Sequence, residues 1–429
     1  MKLSFTGIVI SLVFGLGPAL VLHAQTYDPE NYSNTPTDLL PYSKFHKAYK
    51  YFFTEPVIPY RGPGRDKPVP VNVKTVPIGF LGPLEGSYIR DYGEQMLQGS
   101  TLAIEEANAG GGYKGAPFEL LVHNDVGLWG ASANTVVKMD DEHVWGFLGS
   151  IDDIVSHVAL RVALKLEIPM VNAGDPDPTF TETNIPWLLR VITDDRQSQY
   201  MLVNYIYKQK GYSRVAMIRV NNRYGRVGTG EFKDAAERLG RPVVCELRFM
   251  DRDTVFTEQL EVIRKTNPDA IIIFGDPKEM GLIVRQIRAM GMHQPLFTGD
   301  RAVNPKFLKY AGKYSDGIVT TCQYNPDSQD PVWLKFKKNY LARFGMEPDV
   351  FAAHAYDGMN ILIQSIRIAG LNRAKIRDVM LDRKTFQNYH GVTGRMIFDP
   401  SWNNIRRVYM AEISQGKFRF YPAEYKVDQ

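Results

Sequence analysis

The chain has 429 residues, more than one hydrophobic core usually serves, and its 44% apolar and 23% charged residues sit near globular averages. Collagen, long coiled coil and extended disorder are thereby excluded as the main architecture. The 51 Lys and Arg against 47 Asp and Glu leave a net charge of +4, spread along the chain without the basic blocks that nucleic-acid binding favours.

Lys2 precedes an apolar run over residues 5–22 that ends in His23, Ala24 and polar sequence, the pattern of a secretory leader. The run is also at the lower length limit for a transmembrane anchor, but Gly15, Gly17 and Pro18 weaken a spanning helix. Cleavage after Ala19 or Ala24 is expected, giving a leader over 1–24 and a soluble exported product. No cysteine lies near either point to carry a lipid anchor. Residues 25–74 form an extension holding eight of the 26 prolines, where regular structure is disfavoured apart from a short helix over 39–53. Tyr51, Phe52 and Phe53 would be costly to leave in water, so the extension is expected to strap over the folded body or to dock a partner.

From residue 75 onward, β-rich runs alternate with amphipathic helical runs. Strands are predicted over 75–80, 118–125, 144–149 and 168–172, with helices over 89–109, 131–141 and 153–166. A second series has strands over 214–220, 242–249, 269–275 and 295–299, with helices over 226–239, 254–266 and 277–290. The strands are continuous apolar runs, as expected when helices cover both faces of a parallel sheet. Two such series predict an α/β protein of two doubly wound lobes. The chain after Cys322 reads as mostly helical to Leu381 and ends in strands with a hairpin turn at Gln415 and Gly416. Cys245 and Cys322 could form one disulfide, and they lack the spacing of a zinc or thioredoxin-like site.

The phrases IGFLGPLEG (78–86), GSTLAIEEANAGGGYKG (99–115), VWGFLGSIDD (144–153), EIPMVNAGDPDPTFTE (167–182) and YGRVGTGEFKDAAERLG (224–240) follow one another in a particular order. With PDAIIIFGDPKEMGLIVRQIRAMGM (268–292) and GVTGRMIFDP (391–400), the series resembles type I periplasmic binding proteins. The chain is identified as a member of the leucine/isoleucine/valine-binding family of ABC-transporter substrate-binding proteins, over residues 75–424. The resemblance implies lobe 1 from 75–192 and 323–395, lobe 2 from 193–322 and 396–429, and crossings near 190–193, 320–323 and 394–397. It implies a non-catalytic protein that captures a small polar solute in the interlobe cleft and delivers it to an ABC permease. A ligand sensor of the same fold, signalling to a receptor or partner enzyme, is the alternative.

Carried over position by position, the resemblance places Ser150, Asp152 and Asp153 where relatives offer hydroxyl and backbone donors to a ligand carboxylate. Asp175 and Asp177 stand in a loop that is normally rich in Ser and Thr. Tyr92 and Tyr224 match aromatic residues of the cleft, Asp276 stands where a second aromatic is common, and Arg301, beside Asp300, falls where an acidic residue usually meets the ammonium group. An ionised Asp only accepts hydrogen bonds and repels a carboxylate, so a standard branched-chain amino acid is not expected. The expected ligand is an amine, amide, amino-acid-like compound or polyol that shows donors or positive charge to lobe 1. An anionic or carbonyl group would meet Arg301, and Tyr92 and Tyr224 would give flat contact. Each Asp also has a simpler reading: Asp152 and Asp153 open a helix, and Asp175 and Asp177 adjoin prolines in a turn.

GGGYKG (110–115) follows a helix and precedes a strand, the reverse of a dinucleotide site, and reads as a helix stop. GRVGTG (225–230) also fails the spacing. The eight histidines make no HExxH pair, no calcium-loop pattern is present, and no nucleophile elbow occurs, so neither metal nor cofactor nor catalysis is expected. His123 with Asp125 ends a strand near the cleft, and a structural role is the simpler reading. A monomer without nucleic-acid partners is expected.

Overall fold

Apolar runs bounded by glycine and polar turns become strands covered on both faces. The computed structural model describes residues 62–423 apart from 126, 128, 184, 387, 388, 400 and 407. The expected leader, the helix over 39–53, and Tyr51, Phe52 and Phe53 lie outside the described residues.

The first sheet is parallel, with β1 (Val76–Gly82), β2 (Phe118–Asn124), β3 (Phe147–Gly149), β4 (Met170–Asn172) and β5 (Leu188–Arg190) in the order β2-β1-β3-β4-β5. Helices α1 (Arg90–Ala109), α2 (Trp129–Asp141), α3 (Asp153–Leu166) and the short α4 (Pro178–Glu182) lie between successive strands. Side chains alternate along each strand: Phe80, Leu148, Val171 and Leu189 enter one core, while Leu81, Phe147, Met170 and Leu188 enter another on the opposite face. β5 was not among the expected strands.

The chain then enters the second lobe through α5 (Asp195–Val203), which runs on into a π-helical turn at Asn204–Gln209. There follow β6 (Val215–Val220), α6 (Arg223–Arg238), β7 (Cys245–Phe249), α7 (Thr257–Lys265), β8 (Ala270–Phe274), α8 (Pro277–Ala289), β9 (Leu296–Thr298), α9 (Pro305–Ala311) and β10 (Val319–Cys322). Ile218 and Ile273 face one core and Met217 and Ile272 the other, so this sheet too is covered on both sides. Cys245 and Cys322 are both free, and three strands separate β7 from β10, too far for a disulfide.

After β10 the chain returns to lobe 1 as α10 (Pro331–Phe344), α11 (Val350–Ala369) and α12 (Arg373–Leu381). A methyl group at Gly99 would lie 2.1 Å from the carbonyl oxygen of Ala352, so α1 and α11 pack backbone against backbone. A two-stranded ribbon, β11 (His390–Gly391) with β12 (Gly394–Arg395), leads to the last passage. Met396, Phe398 and Trp402 still belong to the lobe 1 core, and Val408 is the first residue packed into lobe 2. The chain therefore leaves lobe 1 later than the 394–397 expected. β13 (Tyr409–Ser414) and β14 (Lys417–Pro422) add antiparallel to β10, and Gln415 and Gly416 turn between them with φ of 54° and 70°. The second sheet reads β14-β13-β10-β9-β8-β6-β7.

Two features brace this frame. Arg406, buried at the last passage, donates to the carbonyls of Gln323 and Thr393 and reaches His354 Nε2 at 3.2 Å. His354 Nδ1 lies 2.7 Å from the Val350 carbonyl, so it carries the proton and Nε2 accepts. Burial and the Arg406 charge hold this histidine well below its usual pKa. On the back of lobe 1, the described end of the extension is pinned by Asn372, whose Nδ2 donates to the carbonyls of Gly64, Arg65 and Lys67. Arg65 also pairs with Asp378, and Val69 and Val73 pack on the lobe 1 core.

Candidate ligand-binding cleft

In an open parallel sheet the crevice lies beyond the carboxyl ends of the strands, where the strand order reverses. Lobe 1 reverses between β1 and β3, and lobe 2 between β6 and β8. The loops after these strands carry Ser150, Asp152 and Asp153 on one side, and Tyr224 and Asp276 on the other.

On lobe 1, the Ser150 hydroxyl donates to Asp125 Oδ2 at 2.5 Å, so its donor is already used. Asp152 caps α3, its Oδ1 accepting from the N–H groups of Ile154 and Val155 at 3.0 Å each. Its simpler reading is the one its bonds display. Asp153 points inward and is buried. Asn172 stitches the two cleft loops together: Nδ2 donates to the carbonyls of Gly149 and Ser150, and Oδ1 accepts from the N–H groups of Gly174 and Asp175. Asp175 accepts from the Asp177 N–H at 2.9 Å through Oδ1, and its carboxyl shares a side-chain hydrogen bond with Asp153. Beneath the loop lies buried Arg190, which donates to the carbonyls of Asp175 and Asp177, to Thr181 Oγ1 and to Asp194.

Asp177 does two things. Its Oδ1 caps α4 through the Thr179 N–H at 2.8 Å, and its Oδ2 receives Arg223 Nε at 2.9 Å together with Arg223 Nη2. Arg223 opens α6, so this ion pair crosses between the lobes. An exposed pair, Lys306 with Asp91, does the same at the rim. The two lobes are closed on each other.

On lobe 2, the Tyr224 hydroxyl donates to Asp300 Oδ1 at 2.7 Å, and Gln323 Nε2 donates to Asp300 Oδ2 at 2.5 Å. The Arg301 guanidinium lies 3.5 Å from the centre of the Tyr224 ring and 5.6 Å from that of Tyr92, and it donates to Asp276 Oδ1 at 2.9 Å. The faces of Tyr92 and Tyr224 expected to receive a ligand are thus held by Arg301 itself, and Asp276 holds Arg301. At the mouth beyond them a cavity of ≈ 400 Å³ is lined from both lobes, by Tyr88, Tyr92, Asp251, Asp276, Lys306 and Tyr310 among others.

The sequence reading missed Asp195. It sits in the first turn of α5, just past the first crossing, is 1% exposed, and leaves Oδ1 without a partner. A pair of acids after a strand, Asp194 and Asp195, was the available signal, and only one of the two is needed to cap the helix. Asp125 was weighed only beside His123, which instead pairs with Glu142 at 2.8 Å.

These carboxyl groups differ in charge. Burial, then repulsion from Asp177, pushes Asp153 up to about 7, against an attraction from Arg301. Asp175 is raised well above the carboxylate range by burial and by Asp153, and Asp195 by burial and by Asp300 and Asp153. Burial also acts on Asp177, but hydrogen bonds from His157 and Thr179 and the charge of Arg223 outweigh it and hold this acid well below its usual value. One ionised, paired acid thus stands beside three that resist ionisation. Among the described residues no group of three or more His, Cys, Asp or Glu side chains is placed to hold a metal ion.

Two closed parallel-sheet lobes with such a cleft are the architecture of type I periplasmic binding proteins. A profile of the periplasmic binding protein family matches residues 75–417. Over 332 residues the chain is 26% identical to Leu/Ile/Val-binding protein homolog 2 of Brucella abortus (strain 2308), across 75% of this chain and 85% of that one. Leucine-binding protein LivK of Thermotoga maritima superposes with a TM-score of 0.73 at 28% identity, covering 81% of this chain and 97% of that one. A solute-binding protein from R. palustris in complex with benzoate has the same fold, with a TM-score of 0.73 at 19% identity over 83% of this chain and 98% of its own. The chain belongs to the Leu/Ile/Val-binding family of ABC-transporter substrate-binding proteins, which are binding proteins and not enzymes.

Proposed function

We propose that this protein, exported and processed at its leader, captures a small polar solute between its lobes and hands it to an ABC permease, and that the solute is not a standard branched-chain amino acid. One observation carries the choice of solute: the cleft gathers buried acids, with Asp153 and Asp175 hydrogen-bonded to each other and Asp195 Oδ1 left without a partner. A ligand carboxylate would look for donors at Ser150 and Tyr224, whose hydroxyls are bonded to Asp125 and Asp300, and at Arg301, whose charge is paired with Asp276. Relatives named for leucine, isoleucine and valine, and one structure holding benzoate, support a family whose members differ in ligand. The expected solutes are amines, amides and polyols, which bring donors to these acceptors.

Mass spectrometry of small molecules released from the purified, denatured protein, followed by thermal-shift measurement with the compounds found, tests this reading. Stabilisation by branched-chain amino acids and by no amine, amide or polyol refutes the ligand class. Turnover of the bound solute refutes the binding role.

A further inference from the structure

Closing the cleft brings acid against acid. Asp153 and Asp175 come from lobe 1, and Asp195 and Asp300 from lobe 2; the field of Asp153 is felt at Asp195 across the gap. The nearby cations are already engaged. Arg223 serves Asp177, Arg190 serves Asp194 and the loop carbonyls, and Arg301 serves Asp276 while stacked on Tyr224. His157 faces Asp177 and Thr179. Among the described residues, no cation pairs with Asp153, Asp175 or Asp195. Asp153 and Asp175 share a side-chain hydrogen bond, and Asp195 keeps a fully buried oxygen, Oδ1, without any partner.

An acid in that position has two ways to be neutral: it holds a proton, or a positive charge lies against it. We propose that the cleft selects an organic cation, a solute carrying ammonium or guanidinium nitrogen without a compensating carboxylate, whose charged group bridges Asp153 and Asp175 on lobe 1 to Asp195 on lobe 2. The cation takes the place of protons on these acids, and the displaced protons leave to solvent. This rests on the solute-capture reading and narrows it to one charge class. A zwitterion fits poorly because its carboxylate finds the Ser150 and Tyr224 hydroxyls already bonded and the Arg301 charge already paired with Asp276. A metal ion fits poorly because, among the described residues, no group of three or more His, Cys, Asp or Glu side chains is placed at metal-ligating distances. Polar uncharged solutes satisfy the acceptors but do not answer the charge.

The sign of the pH dependence follows. Acids that keep their protons in the closed cleft must release them to solvent when the cation binds, so affinity rises with pH while those protons are still bound, by up to about tenfold per unit for each proton displaced. Asp177, held ionised by Arg223, takes no part in this.

The test is isothermal titration calorimetry of the full exported chain at pH 6 and pH 8, in two buffers of different ionisation enthalpy. The probes are 1,4-diaminobutane, agmatine, L-leucine, benzoate and calcium chloride. The expected result is binding of an amine or guanidine probe, at least tenfold tighter at pH 8, with net release of protons. Asp175→Asn and Asp195→Asn should each weaken that binding at least tenfold and reduce the proton release. Removing a buried acid relieves repulsion, so both variants should fold with an unchanged or raised thermal midpoint; the proton count on the unaltered chain tests the idea independently of them. Binding of leucine or benzoate without the amines overturns the cation assignment and leaves solute capture standing. Binding of calcium alone also overturns it, as does amine binding without proton release. If no probe binds and no small molecule is released from the denatured protein, solute capture itself fails.

Discussion

Replacing Arg223 with alanine should shift the protein toward an open cleft without unfolding either lobe. Its guanidinium places two N–H groups on Asp177 Oδ2 and a third contact on Thr179 Oγ1 at 3.0 Å, across the gap between α6 and α4. Asp177 is fully buried, and breaking a fully buried pair costs ~3–5 kcal/mol. Two facts reduce that figure. The Arg223 side chain is 32% exposed, and Asp177 keeps the Thr179 N–H, the Thr179 hydroxyl and His157. About 1–2 kcal/mol remains, roughly a 5- to 30-fold change in the closed-to-open ratio. The loss falls on closure because each partner is anchored in its own lobe. Arg223→Lys should recover part of it, since an ammonium keeps the charge but not the planar donor pair. The effect should also be flat from pH 5 to pH 8. An acid held below its unfolded value contributes fully above that value, near 3.9, and loses the contribution only as pH falls toward its folded pKa. Small-angle scattering of the empty protein, with affinity for the solute it carries, provides the assay. A radius of gyration and a dissociation constant both within twofold of the parent, together with a lowered thermal midpoint, would falsify the latch and make the pair a fold element.

Asp153 behaves in the opposite sense. Its folded pKa of about 7 lies above the unfolded value, so the folded state binds the extra proton between about pH 4 and 7 and stability falls as pH rises through that window. Asp153→Asn should therefore stabilise the empty protein more at pH 8 than at pH 5, by on the order of 2 kcal/mol of difference in chemical denaturation. An equal effect at both pH values would mean that Asp153 ionises freely. Asn372→Ala should free the segment over 62–68, because one side-chain amide holds three of its carbonyls and the same residue caps α12 through the Lys375 N–H. Trypsin should then cut after Arg65 at least tenfold faster, with ~1–2 kcal/mol lost from the cap and its bonds. Asn372→Asp keeps the cap acceptor and loses the amide donors, so rapid cutting in that variant assigns the effect to the strap; slow cutting in both would show that the strap is held elsewhere.

Much of the fold was legible because it rests on local pattern. The runs IGFL and AIIIF are apolar at every position, and AMIRV at every position but Arg219, as a strand covered on both faces requires, and the structure distributes their alternate residues between two cores. The Gln415–Gly416 turn was legible for a similar reason: both residues take positive φ, and a two-residue hairpin needs it. β5 and β10 were not, and they show as strands through their pairing with β4, β9 and β13.

The cleft was legible in composition but not in bonding. Sequence placed Ser150, Asp153, Asp175, Asp177, Tyr224, Asp276, Asp300 and Arg301 on loops of the two lobes, and those loops do meet. It could not pair them, because Asp177 and Arg223 lie on opposite lobes that meet only on closure, and Arg301 and Asp276 lie on loops that only the pairing of β8 with β9 brings together. It treated Tyr92 and Tyr224 as open faces, and the packed protein stacks its own arginine there. It passed over Asp195, whose burial depends on β10 and the crossing segments rather than on its neighbours in the chain. The sequence by itself determined the two doubly wound lobes and the acidity of the loops, since periodicity and residue type are local. Only the tertiary structure decided which of those acids are neutralised from within, by Arg223, Arg190 and Arg301, and which are left buried without a cation, since charge compensation depends on distances across the cleft.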